Sequence, residues 1–242
     1  MHSDKIQQKK GKILFMIIYG KQVCLHALQE HEANVKTVYI AKKGVLPQKL
    51  FESFKPKIKF LEEKWAQSMS KGGNHQGILL EMEPFVQSDL ATLKKERFIV
   101  VLDALTDTGN IGAIVRSAYA LGADGIIATG VRNLNFAPIV RTSSGALLNM
   151  PMVLIPNILD VLNELKQVDF KVYGASMDGI AVDKCQFSEK RVLVLGSEGE
   201  GLSKKAKSKI DEVISIEMKH EFDSLNVSAA AAILIHRMGN VI

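Results

Sequence analysis

A chain of 242 residues with 47% hydrophobic and 24% charged residues has the composition of a globular protein. It holds enough material for one large domain or two smaller cores. No apolar run approaches the roughly 20 residues that span a bilayer, and the lysine-rich start lacks an apolar signal core, so a cytoplasmic protein with no membrane partner is expected. The net charge of +5 is uneven: residues 1–96 hold 16 Lys and Arg against 10 Asp and Glu, while residues 97–242 hold 15 against 16.

Every basic residue before Arg97 is a lysine. A lysine-rich first part beside a near-neutral second part fits a division in which one grips a polyanion and the other does chemistry, although a solvated basic surface has the same composition. Cys24 and Cys185 have no partner spacing, and the six histidines do not cluster in sequence, so neither a disulfide framework nor a metal site is expected.

Residues 1–84 read as a small α/β unit. The apolar run Ile13 to Ile18 predicts a strand, and Tyr19-Gly20 turns it into a helix with Val23, Ala27 and Leu28 on one face. Further strands are expected at Thr37 to Ala41 and Ile78 to Glu81, separated by lysine-rich loops and a helical segment near Leu61 to Ser70. The turn Gly72-Gly73-Asn74-His75-Gln76-Gly77 precedes the last of these. Asn74, His75 and Gln76 there are candidate RNA contacts, and a hairpin turn of purely structural purpose has the same composition. Residues 85–96 read as a linker with a possible short helix.

Residues 97–242 read as a second α/β domain. The strand Phe98 to Asp103 ends on an aspartate, a loop leads to a helix from Asn110 to Leu121, and a strand follows from Gly125 to Thr129. This is a βαβ unit, so the sheet should be largely parallel. Arg116 is the only charged residue between Ile111 and Ala123. It is read either as a surface arginine or as a contact to phosphate or a developing oxyanion. Val140 to Leu147 reads as a helix start rich in small residues. A short apolar run at Val153 to Ile155, a helix around Ile158 to Val168 and a strand at Lys171 to Ala175 come next.

The buried strand Val192 to Leu195 stops on Gly196-Ser197-Glu198-Gly199-Glu200-Gly201. These glycines lack the G-x-G-x-x-G spacing of a dinucleotide site, and Glu198 and Glu200 would repel a pyrophosphate. A strand is expected from Glu212 to Met218, and Ser224 to Ser228 leads into an alanine-rich helix. Two strand ends and a helix start therefore converge on residues that leave main chain bare.

Three ordered stretches carry a resemblance. Asp107-x-x-Asn110-x-Gly112-x-x-x-Arg116-Ser117-Ala118, Leu195 to Leu202, and Ser224-Leu225-Asn226-Val227-Ser228 resemble the motifs of the SpoU (TrmH) family of RNA ribose methyltransferases. Tyr19-Gly20, Val23, Ala27-Leu28 and His75-Gln76-Gly77 resemble the amino-terminal substrate-binding domain of the branch that methylates guanosine 2′-O in large-subunit ribosomal RNA. The resemblance implies a SPOUT α/β domain with a deep trefoil knot, preceded by an α/β domain like ribosomal protein L30e. It also implies a homodimer that uses S-adenosylmethionine and acts on ribosomal RNA.

By the same resemblance, Gly196, Ile216 and Leu225 hold the cofactor through main chain, with Met218, Gly199 and Gly201 beside them. Arg116, Asn110, Glu198, Ser224 and Asn226 form the catalytic set, in which Asn110 and Glu198 orient Arg116 or the ribose and Ser224 and Asn226 shape the cofactor loop and cap the last helix. Arg141 joins the RNA contacts. Thr108, Glu217 and His220 depart from the proline, proline and glycine usual in the family. A transfer-RNA substrate, a non-catalytic assembly factor of the same fold and a small-molecule methyltransferase are the competing readings.

Overall fold

The computed structural model describes residues 15–220 and 224–240. The lysine-rich start and Ile13 and Leu14 of the first expected strand lie outside the described residues. The chain forms two compact units, Met1–Val86 and Gln87–Ile242.

In the first unit, β1 (Met16–Tyr19), α1 (Lys21–Glu30), β2 (Val35–Ile40), α2 (Gln48–Phe54), β3 (Ile58–Phe60), α3 (Glu63–Met69) and β4 (Ile78–Met82) follow in turn. The sheet order is β1-β4-β2-β3, with β4 antiparallel to both neighbours and β3 parallel to β2 at the edge. Both α2 and β3 fall within what composition suggested were lysine-rich loops. Helix α2 buries only Phe54, and β3 is a three-residue edge strand with none of its residues fully buried, so neither carries a clear apolar period. Ile78, Leu79 and Leu80 are wholly buried in succession, as expected where both faces of a strand are covered. Cys24 on α1 is also wholly buried, and burial pushes its thiol far above the usual range.

The second unit continues with α4 (Leu90–Leu93), β5 (Phe98–Asp103), α5 (Thr108–Ala120), β6 (Gly125–Thr129), α6 (Phe136–Thr142), β7 (Met152–Leu154) and α7 (Ile158–Lys166). It ends with β8 (Lys171–Ala181), β9 (Arg191–Leu195), α8 (Lys204–Lys207), β10 (Glu212–Ser215) and α9 (Val227–Gly239). Its six strands are all parallel, in the order β10-β8-β9-β5-β6-β7. Every residue of β5 is buried. Ile99 and Val101 belong to a core cluster with Val161, Leu162 and Leu165 of α7, and α5 packs with α6 and α9. Leu93, within the stretch read as a linker, is wholly buried in that cluster.

Several boundaries differ from expectation, α5 among them, which starts at Thr108 rather than Asn110. The expected helix start at Val140 to Leu147 holds first a helix end and then a short start: α6 runs Phe136–Thr142 and stops where Ser144 (φ 56°) and Gly145 (φ 95°) turn left-handed, and a single 3-10 turn, Ala146–Leu148, follows. Strand β10 ends at Ser215 rather than Met218. Strand β8 runs to Ala181, its pairing with β10 jumping from Gly174 to Ile180 and leaving residues 175–179 as an excursion. Among the described residues no helix is long and apolar enough to cross a membrane, and no three His, Cys, Asp or Glu side chains gather as a metal site.

Two contacts set the tolerances of this unit. At Gly112 on α5, a Cβ would overlap the Thr142 side chain and lie 2.9 Å from the Ser143 nitrogen. Gly112→Ala is therefore expected to lower unfolding free energy by about 1–3 kcal/mol, measured by denaturant titration. Asp211 accepts from Lys166 Nζ at 2.5 Å and from the Val172 amide at 2.8 Å, tying α7 and β8 to the approach to β10. Burial pushes its carboxyl up, but these bonds outweigh burial and hold it below the usual carboxylate range. A depressed folded value means the stabilisation is present above about pH 4 and is lost as pH falls through the folded value. Asp211→Asn should flatten the acid limb of the stability–pH curve and leave its slope near neutral pH unchanged.

Candidate functional site

The site in the second unit starts where β9 ends. The main chain of Ser197 and Gly201 exchanges two hydrogen bonds, 3.1 and 3.0 Å, closing a short loop beyond Leu195. Gly199 (φ 88°) and Gly201 (φ 65°) adopt backbone that disfavours side chains, and a Cβ at either would meet nothing within 4 Å. The tip of the loop is thus bare main chain. Gly196 is the opposite case, since a Cβ there would strike the main chain of Gly201 and Leu202. The far end of the loop is fixed by Asp103, a 3% exposed carboxylate at the end of β5 that accepts from the Ser203 amide at 2.9 Å. Ser203 in turn caps α8 through the Ala206 amide.

Three residues from the three sequence motifs meet beside this loop. Glu198 Oε1 accepts from Asn110 Nδ2 and from Asn226 Nδ2, both at 2.9 Å, and Asn226 Nδ2 also donates to Asn110 Oδ1 at 3.1 Å. Each corner is set by local structure. Asp107 caps α5 by accepting from the Asn110 amide at 2.7 Å, which fixes where Asn110 leaves the helix. Asn226 caps α9, its Oδ1 accepting from the amide and hydroxyl of Ser228 at 2.8 and 2.6 Å. That orientation of the side-chain amide leaves its nitrogen to bind Glu198 and Asn110.

Arg116 lies two turns along α5 from Asn110 and outside this triangle. Its Nη1 donates to the Ser144 hydroxyl at 3.3 Å, and no carboxylate pairs with it among the described residues. The exposed guanidinium therefore retains donors for another acceptor. Ser144, whose left-handed backbone aims that hydroxyl, carried no signal in the sequence beyond its small-residue run. Arg141 sits in the last turn of α6. Ile216, Met218 and Leu225 are half-buried and Ser224 is exposed, on the segments that leave β10 and enter α9.

In the first unit, a cleft of about 740 Å³ opens between Lys21, Lys42, Lys43, Gln67 and the 72–77 turn. Of the three polar residues of that turn, two work inward. His75 is 4% exposed; its Nδ1 accepts from the Gly77 amide at 3.1 Å, so its Nε2 carries the proton and donates to Glu63 at 3.0 Å. Gln76 Oε1 accepts from the Lys21 amide at 2.7 Å, satisfying the start of α1. Asn74 is exposed on the cleft, beside lysines whose gathering does not show in a net charge.

Residues 97–236 match the SpoU rRNA Methylase family, and residues 17–87 match a family of RNA 2′-O ribose methyltransferase substrate-binding domains. The chain belongs to the SpoU rRNA methylase family. It is 29% identical over 233 residues to the 23S rRNA (guanosine-2′-O-)-methyltransferase RlmB of Photorhabdus laumondii, covering 90% of this chain and 95% of that protein. It is 35% identical over 169 residues to an uncharacterized tRNA/rRNA methyltransferase of Mycobacterium leprae, covering 66% of this chain and 55% of the relative. The chain thus spans about half the length of several curated relatives it matches. Among solved structures, the SpoU methyltransferase AviRb of Streptomyces viridochromogenes, in complex with AdoMet, superposes with a TM-score of 0.77 at 23% identity, covering 97% of this chain and 94% of that one. An rRNA methyltransferase of Sinorhizobium meliloti gives 0.78 at 22% identity, covering 96% and 90%. These two share the fold of this SpoU chain.

The double duty of Asn226 gives a test of the triangle. Asn226→Ala is expected to cost about 1–2 kcal/mol in unfolding free energy, the value of a lost cap. Asn226→Asp keeps a capping oxygen but sets a second carboxylate against Glu198. Its unfolding free energy should therefore recover toward the parent as pH falls through the carboxylate range, a trend absent in Asn226→Ala.

Proposed function

We propose that this chain is an S-adenosylmethionine-dependent RNA 2′-O-ribose methyltransferase acting on ribosomal RNA, with a guanosine of the large-subunit RNA as target. The observation that carries the reading is the arrangement at the ends of β9 and α5. A loop of bare main chain is tied to Asn110 and Asn226 through Glu198, while Arg116 keeps unpaired donors nearby on the same helix as Asn110. Relatives and fold support it: RlmB of Photorhabdus laumondii is matched along nearly its whole length, and AviRb carries AdoMet on the same fold.

The residues present suit a cofactor that carries a sulfonium cation and no phosphate. Main chain at Gly199 and Gly201 can approach a ligand without Cβ interference, the close packing at Gly196 sets where that loop leaves β9, and Ile216, Met218 and Leu225 offer half-buried apolar surface for an adenosine ring. When bound, the cofactor would supply an electrophilic methyl group for a ribose oxygen. The chain's part is positioning and charge. Arg116 cannot serve as a base because guanidinium does not give up its proton in proteins; it stabilises negative charge on the ribose oxygen or holds the adjacent phosphate. Asn110, Glu198 and Asn226 keep the glycine loop in register with α5, and Ser224 and Leu225 shape the entry to α9.

In the first unit, the cleft with Lys21, Lys42, Lys43 and Asn74 is read as the RNA grip, with Arg141 as a further contact in the second. We also read the carboxyl-terminal passage as the family's trefoil knot, with Gly196 at the tight crossing, and the working form as a homodimer. Tyr119 on α5 and Ile233 on α9, 47% and 40% exposed, lie on helices that pack together and offer apolar surface for a partner copy.

The test is transfer of labelled methyl from S-adenosylmethionine to RNA lacking the modification, followed by alkaline hydrolysis. Label is expected in an alkali-resistant dinucleotide from large-subunit ribosomal RNA; label confined to transfer RNA would move the substrate, and label in no RNA would remove the activity. Arg116→Ala should lower the transfer rate by at least about 100-fold with cofactor affinity unchanged, as for loss of a charge-stabilising donor. Arg116→Lys should recover only part of it.

A further inference from the structure

Outside both sites, the first unit exposes two large aromatic rings close together in sequence. Phe60, at the end of edge strand β3, is 64% exposed, and Trp65, on α3, is 59% exposed and the only tryptophan in the chain. Neither is loose. Leu61, which follows Phe60, donates its amide to the Ile40 carbonyl, and Trp65 donates its amide to Glu62. Helix α3 is anchored on its other face by wholly buried Ala66 and by Glu63, which holds His75. With a helical turn beginning at Glu62, the Cα atoms of Phe60 and Trp65 stand no more than about 13 Å apart.

The charge around the rings selects a partner. Lys59 and Lys64 flank them, exposed and without an ion pair among the described residues. Lys55 and Lys57, by contrast, are engaged, Lys55 with Glu52 and Lys57 with the Val35 carbonyl and over the Phe54 ring. The neighbouring acids are Glu62 and Glu63, of which Glu63 is taken by His75. Residues 15–86 carry 10 basic against 7 acidic residues, and the two free lysines beside the rings favour a polyanion. Exposed ring faces with lysines beside them stack on nucleobases of any identity, and only unpaired bases present free faces. Glu63 and Gln67, one turn apart on α3, line the lysine cleft, so Trp65 stands on the opposite face of that helix and the rings form a surface of their own.

We propose that Phe60 and Trp65 form a stacking platform for an unpaired stretch of the substrate RNA, separate from the lysine cleft. The proposal rests on the RNA-methyltransferase reading above. It adds that the target region is single-stranded where it meets the first unit.

Because Trp65 is the only tryptophan, its fluorescence in the full chain reports on this surface alone. Titration with a short oligouridylate at low salt should quench it saturably, and a duplex RNA of the same length should compete poorly. Affinity for the oligouridylate, read independently by anisotropy, should fall roughly tenfold in Trp65→Ala and in Phe60→Ala and be largely kept in Trp65→Phe. Both alanine substitutions fall on exposed positions, and unchanged S-adenosylmethionine binding and thermal unfolding would confirm intact folding. The platform is overturned if the alanine variants bind oligouridylate as the parent does, or if duplex competes equally. It is also overturned if fluorescence shifts with protein concentration alone, which would mark a self-association surface. If no RNA binds the parent chain at all, the RNA reading itself falls and the platform with it.

Discussion

A single carboxylate oxygen holds the second unit's site in one piece. Glu198 Oε1 accepts two side-chain amides, from the first turn of α5 and from the cap of α9, residues 88 and 28 positions away in sequence. Among the described residues, the loop that carries Glu198 is otherwise defined by the Ser197–Gly201 bridge and the Asp103–Ser203 bond, and its tip is two glycines with open space around them. Flexible main chain can serve as a binding surface only if its ends are fixed. Amide donors fix this one without neutralising the carboxylate, as a lysine or arginine would. The acidic character of the loop is kept, in line with the proposed cationic cofactor and against a phosphate-bearing one.

Much of this was legible because the relevant signals are local. A βαβ pattern fixes a parallel sheet, an apolar strand that stops on glycines marks a loop of bare backbone, and the Asn226 cap follows from side-chain chemistry at a helix start. The misread elements were those whose identity comes from packing. Helix α2 and strand β3 have too few buried positions for a period to show, and the small residues that close α6 look in sequence like a helix start. Only the left-handed Ser144 and Gly145 decide between the two. Strand β8 was read short because its pairing resumes after a five-residue excursion that resembles a loop in sequence.

The 72–77 turn shows a deeper limit. Asn, His and Gln beside glycines have the chemistry of a base-reading loop, and also that of a turn that must satisfy itself. Here the glycines force a backbone that leaves amides of Lys21 and Gly77 in need of acceptors, and Gln76 and His75 supply them. Both uses employ the same atoms. Composition cannot separate them, because what decides is whether the acceptor is already occupied. The groups left facing the cleft are lysines and Asn74, so any recognition there depends on charge and shape more than on a donor–acceptor code.

Thr108 illustrates how a departure from a family pattern can be absorbed. A proline at the start of α5 would fix φ by its ring and dispense with an amide that has no helical partner. Thr108 lacks that restraint, yet its carbonyl accepts from Thr142 Oγ1 at 2.8 Å, and the first turn of the helix is capped by Asp107. Thr142 can reach it because Gly112 leaves room for α6 to lie against α5. The restraint has moved from a covalent ring to a tertiary hydrogen bond, whose strength depends on helix packing. The entry of α5, and with it the direction of Asn110, is therefore coupled to the seating of α6 and to Ser144, the partner of Arg116. A chain built this way should tolerate exposed changes on either helix but transmit any change at the Gly112–Thr142 contact to both Asn110 and Arg116 at once.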